Sequence, residues 1–76
     1  MEYLRPKDVL KVMKISRAYL YGRIRQGLFP RPKKLSPALA VWLDLEVKTV
    51  MDAMFRGKSE AEIRELVRQI EEARTQ

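Results

Sequence analysis

At 76 residues, with 46% hydrophobic and 34% charged side chains, the chain suffices for one small domain whose stability depends on every large apolar residue. It has no cysteine, which excludes disulfides and thiolate metal sites, and no histidine, which removes the usual general base and the usual metal ligand. The net charge of +6 is unevenly spread: residues 1–40 carry ten Lys/Arg against two acids, residues 41–76 six against eight, so a basic half that suits a polyanion adjoins a slightly acidic one.

Met1 to Leu4 reads as a short lead-in. Pro6 fits the first position of a helix, where its missing N–H costs nothing, with Arg5 at the N-cap and Asp8 in the first turn. Leu4 is placed to staple onto Val9. Val9, Leu10, Val12 and Met13 form the apolar side of this helix, and Lys7, Lys11 and Lys14 the wet side. Lys14-Ile15-Ser16 is a tight connection, and Ser16 is a good N-cap for a second helix from Arg17 to about Gln26, which Gly27 stops. Leu20, Tyr21 and Ile24 share its core side. Tyr19, Gly22, Arg23 and Gln26 share the other, flanked by Ala18 and Arg25.

Three prolines between Pro30 and Pro37 forbid a regular helix there. Lys33-Lys34-Leu35 and Ala40-Val41-Trp42 suit two short strands joined at Ser36-Pro37, a β-hairpin wing, or else an extended loop. Leu35, Val41 and Trp42 are expected to cover the open end of the core. Asp44 is a reasonable N-cap for a third helix, from about Leu45 to Arg56, with Val47, Val50, Met51 and Met54 inward and Gly57 as its stop. Ser59 and Glu62 form a capping box for a fourth helix, whose stripe is Ile63, Leu66, Val67 and Ile70. Glu60 and Arg64 make an i,i+4 pair in the favourable order, and the last residues are expected to fray.

Two short helices joined by about three residues make a helix-turn-helix, here from about Pro6 to Pro30. A helix in the major groove needs exposed hydrogen-bonding side chains and cations at its edges. The helix that begins after Ser16 offers both. Arg17 and Arg23 can each meet a guanine edge with two hydrogen bonds, Gln26 an adenine or the backbone, and Tyr19 a thymine methyl or a phosphate. Arg25 borders this face, and Gly22 lets it approach the groove closely. Lys33 and Lys34, at the base of the wing, can touch phosphates. The plainer alternative for each arginine is a solvated surface role.

Ser16-Arg17, Leu20-Tyr21, Ile24-Arg25-Gln26-Gly27 and Phe29-Pro30, followed by Lys34-Leu35, Trp42 and Glu46-Val47, together resemble the AlpA-like regulators of prophages, which sit with small excisionases in the wider MerR-like group. The resemblance covers roughly residues 4–55. It implies a mainly α, winged helix-turn-helix DNA-binding domain from an integrated element, acting as transcriptional regulator or excisionase-type recombination factor. Two departures stand out. The wing tip Ser36-Pro37-Ala38-Leu39 is uncharged, and the helix after Ser59 is an addition to the usual pattern.

The expected organisation is a winged helix-turn-helix over residues 1–57 and an amphipathic helix over 58–76. That helix either packs on the domain or serves assembly. Double-stranded DNA is the expected partner, with a second copy or cooperative neighbours on DNA, and an integrase or the transcription machinery beyond. The competing function is a protein-interaction adaptor that docks through the last helix, the basic half being incidental. Catalysis is not expected, since nothing in the chain would activate Tyr3, Tyr19 or Tyr21, and no cofactor or metal is implied. No apolar run approaches the roughly 18 residues of a membrane span, and the polar N-terminus does not suit a signal peptide. The expected location is the cytoplasm, on the nucleoid.

Overall fold

The computed structural model describes residues 2–75, so the parts of the first and last sequence segments that fall on Met1 and Gln76 lie outside it. Four helices surround a three-stranded antiparallel sheet in the order β1 (Tyr3–Leu4), α1 (Pro6–Met13), α2 (Arg17–Arg25), β2 (Lys33–Ser36), β3 (Leu39–Leu43), α3 (Asp44–Phe55) and α4 (Glu60–Ala73). The fold is thus mainly α, with β2 and β3 as the hairpin wing of a helix-turn-helix.

The helix boundaries follow local chemistry. Pro6 opens α1, and the Asp8 carboxylate accepts the Arg5 N–H at 2.9 Å. Ser16 Oγ accepts the Tyr19 N–H at 3.1 Å to cap α2, and Ser59 Oγ accepts the Glu62 N–H at 3.2 Å to cap α4. Gly27 and Gly57, at φ 76° and 74°, end α2 and α3 in the left-handed conformation. The Leu28 N–H then reaches back to Arg23 O at 2.8 Å and the Lys58 N–H to Ala53 O at 3.0 Å. Lys14, at φ 57°, turns the chain between α1 and α2 the same way, with the Ile15 N–H on Leu10 O.

One core joins all layers: Val9, Leu20, Leu28, Phe29, Trp42, Val47, Val50, Ala53, Ile63 and Val67 are buried together. Trp42 and Phe29 meet edge to face at 5.7 Å between ring centroids. Tyr21 and Ile24 of α2 are half-buried against this core, as their wheel positions require. α4 supplies Ile63 and Val67 to the same core, with Leu66 and Ile70 packed at its edge.

Several sequence expectations change. Tyr3 and Leu4 are a strand, paired with Leu43 and Trp42 of β3, because β3 lies in the middle of the sheet and offers a free edge. Val12 is exposed, since the short α1 buries only the Val9 side. Leu35 does not cover the core. Alternation along β3 sends Trp42 into the main core and Val41 to the opposite face of the sheet, where Val41 is still buried while Leu35 is exposed beside Tyr3, Lys33 and Leu43. Asp44 is the first residue of α3, not its cap; its side chain accepts the Glu2 N–H at 3.4 Å while Leu43 takes the cap position. The chain end does not fray at Arg74, which is tied to α3 by a bidentate pair with Glu46 at 2.8 Å.

Candidate nucleic-acid interface

Helix α2 presents one exposed flank to solvent. Ser16, Arg17, Ala18, Tyr19, Arg25 and Gln26 are exposed, and Gly22 and Arg23 are half-buried. Arg17 occupies the first turn, where a helix lying in the major groove presents its base-reading side chains. A Cβ on Gly22 would meet only the Arg25 guanidinium, at 3.8 Å. Nothing inside the protein therefore requires glycine at that position. Lys33 and Lys34 are exposed at the start of β2.

Arg23 departs from the pattern of its neighbours. One of its guanidinium nitrogens donates to Leu28 O at 3.1 Å and the other to the Tyr19 hydroxyl at 3.4 Å. Its Nε is buried without a partner among the described residues, and its carbon Cζ lies 5.8 Å from the Tyr19 ring centroid. The side chain thus folds back over the end of its own helix, where Leu28 has already returned its N–H to Arg23 O. The i,i+4 spacing of Tyr19 and Arg23 signals their contact, but a helical wheel carries no information about a carbonyl in the following loop.

That loop, Gln26 to Pro32, joins α2 to the wing and is itself neither helix nor strand. The N–H groups of Gln26, Gly27 and Leu28 return to carbonyls of α2, and several of the loop's remaining backbone groups are met by side chains. Arg64 Nε donates to Gln26 O at 2.8 Å, Trp42 Nε1 to Pro30 O at 2.7 Å, and Arg74 to Arg31 O at 2.6 Å; the Arg31 N–H donates to Glu71 at 2.8 Å. Leu28, Phe29 and Pro30 are buried, so the Gly-x-Phe-Pro string of the sequence is a structural plug under α2. Glu71 and Arg74 carry no motif, and the sequence marks Arg64 only as a partner of Glu60 and Glu46 only as part of the family string; the loop and its anchor reveal their part.

Charge is segregated more sharply than composition indicates. Every ion pair among the described residues takes its cation from the second half: Lys48 with Asp44, Arg56 with Asp52, Arg64 with Glu60, Arg68 with Glu65 and Glu72, and Arg74 with Glu46. None of the ten Lys/Arg of residues 1–40 enters one. The second half, Lys58 aside, pairs its cations with its own acids, and the basic half keeps a strong positive charge outside any ion pair. No helix among the described residues is long and apolar enough to cross a membrane, and none of their carboxylates cluster as a metal site would need.

Curated proteins and solved structures gave no match to the chain. A family model did: that of the prophage CP4-57 regulatory protein (AlpA) matches residues 2–54, from β1 through nearly all of α3 and including the whole exposed flank of α2. With more than half of its length matched, the chain belongs to the AlpA family of prophage regulatory proteins.

Proposed function

We propose that the protein binds double-stranded DNA in a sequence-specific manner, with α2 in the major groove, as a regulator of a prophage or other integrated element. The observation that carries this reading is the set of unpaired cations on the basic half, grouped around an exposed, Ser-capped helix. Arg17 and Gln26 contact base edges, Tyr19 meets a thymine methyl or a phosphate, and Arg25, Lys33 and Lys34 neutralise phosphates. Ser16 sets the start of the helix, and Gly22 admits the groove wall. Arg23 acts indirectly, by holding Tyr19 and the loop end. No bond is made or broken: phosphates fix the register and the helix reads bases.

A single small module buries little DNA surface, so cooperative binding by neighbouring copies, or a partner such as an integrase or the transcription machinery, completes the affinity. Transcriptional control and excisionase-type action share the binding step. A recombination assay with the element's own integrase separates them. The adaptor alternative requires the apolar stripe of α4 for an outside partner, yet Ile63 and Val67 of that stripe are buried in the domain's own core.

The test is selection of preferred duplexes from a random pool, followed by affinity measurement over a salt series. The expected slope of log affinity against log salt is about −0.9 for each phosphate contacted. Arg17→Ala is expected to cost about 1–3 kcal/mol on the selected duplex and to relax preference at one base pair. Flat salt dependence, or selection that returns no preferred sequence, overturns the reading.

A further inference from the structure

Helix α4 lies wholly beyond the stretch matched by the family model, and two of its side chains, with that of Arg74 at its C-cap, reach the same seven-residue loop. Arg64 takes the carbonyl of Gln26, where α2 ends. Glu71 and Arg74 take the N–H and the carbonyl of Arg31, two residues before the wing begins. Arg74 is at the same time paired with Glu46 of α3, at side-chain exposures of 14% and 11%, the least exposed ion pair among the described residues. The Gly27 site extends this contact: a Cβ there would lie 3.7 Å from the Arg64 side chain. Both ends of the loop are therefore anchored to one rigid helix, and that helix to α3.

We propose that α4 is a strap that sets the position of the β2–β3 wing relative to α2 through Arg64, Glu71 and Arg74, with the Glu46–Arg74 pair as its anchor. The proposal rests on α2 and the wing contacting DNA together. The loop's first N–H groups return to α2 and Trp42 holds Pro30 O, but the Gln26 carbonyl and both backbone groups of Arg31 are held by the side chains of Arg64, Glu71 and Arg74, whose loss frees the wing end of the loop without removing a core residue. The nonpolar stem of Arg74 can be retained while its hydrogen bonds are removed, which makes Arg74→Met the informative variant. Arg74, Arg64 and Glu71 are positioning residues and need touch no DNA.

The experiment compares the parent chain, Arg74→Met, Arg74→Lys, the double variant Lys33→Ala/Lys34→Ala, and the combination of Arg74→Met with that double variant. Affinity for the selected duplex is read over a salt series with every protein shown to be folded. Arg74→Met is expected to weaken binding about tenfold and to flatten the salt slope by about the amount that loss of Lys33 and Lys34 does. Combined, the two changes are expected to fall short of additive, because the strap acts through the wing lysines. Arg74→Lys, which keeps the charge but not the fork, is expected to fall between parent and Arg74→Met. Fully additive losses, or an unaltered salt slope in Arg74→Met, overturn the proposal.

Hydrogen exchange without DNA separates this proposal from the one it rests on. Arg74→Met is expected to speed exchange at Arg31 and across residues 27–36 about tenfold while α1 stays near parent rates. Uniform acceleration over the chain overturns the strap. Local acceleration in Arg74→Met, together with a parent chain that binds no DNA, leaves the loop anchorage standing and overturns the DNA reading instead.

Discussion

At the residue scale, two positions on α2 have opposite logic. Gly22 sits in mid-helix where a Cβ would make only ordinary contact with the Arg25 guanidinium, so the fold gains nothing from glycine there. Replacement by alanine relieves a backbone entropy cost and is expected to stabilise the domain by about 0.5–1 kcal/mol. If α2 approaches the groove closely at that point, the same methyl group weakens DNA binding, by about tenfold for contacts worth roughly one base pair. Thermal melts and binding curves on Gly22→Ala should therefore move in opposite directions; a more stable variant with parent affinity would remove Gly22 from the interface. Arg23 has the reverse balance. Its guanidinium is committed to Leu28 and Tyr19, and its Nε is buried without a partner among the described residues.

At the scale of single elements, α4 is the clearest example of local chemistry fixing a boundary. The Ser59 N–H and the Ser59 hydroxyl both engage the cap, and the hydrogen bond from the Ser59 backbone to the Glu62 carboxylate, with the Ser59 side chain second, holds Glu62 below the ordinary glutamate value of 4.5. Glu65 is lowered as well, by hydrogen bonds from Arg68 and then Gln69. A carboxylate whose folded pKa is depressed stabilises the fold above its unfolded value and loses that contribution as pH falls through the folded one. Stability is thus expected to be constant from neutral pH down to about 5 as far as these two groups decide, and to decline below 4.5. Ser59→Ala is expected to cost about 1 kcal/mol at neutral pH and less in acid, where Glu62 no longer completes the box. A denaturant series at pH 7 and pH 3 measures both, and an equal cost at the two values would contradict the coupling.

At the scale of the whole molecule, α4 packs into the core of the domain that the family match outlines. Ile63 and Val67 are buried among Val47, Val50 and Trp42, and burial of each aliphatic side chain contributes about 1.5–3 kcal/mol. A core this small offers only about 3–5 kcal/mol of net stability. Deletion of residues 58–76 is therefore expected to abolish cooperative unfolding rather than to yield a trimmed DNA-binding unit. A sharp thermal transition in the truncated chain, followed by circular dichroism, would instead make α4 an appendage. The segregation of charge is also a property of the whole: the second half pairs all its cations but Lys58 with its own acids, and the first half leaves its cations out of ion pairs.

The sequence by itself determined the four helices, their caps at Ser16 and Ser59 and their glycine stops at Gly27 and Gly57, because these depend on chemistry within a turn or two of chain. It also determined the core side of α2 and the family, whose marks are local strings. Only the tertiary structure decided what required a distant partner. Tyr3 and Leu4 became a strand because β3 had an open edge, and Leu35 turned outward because the register at Trp42 fixed which face is inside. Arg23 turned back because Leu28 presented a carbonyl, and Arg74 was held because Glu46 and Arg31 lay within reach. Periodicity states which side of an element is apolar. It is silent on which polar groups of a loop lack partners, and in this protein those groups recruited the side chains that the sequence left unassigned.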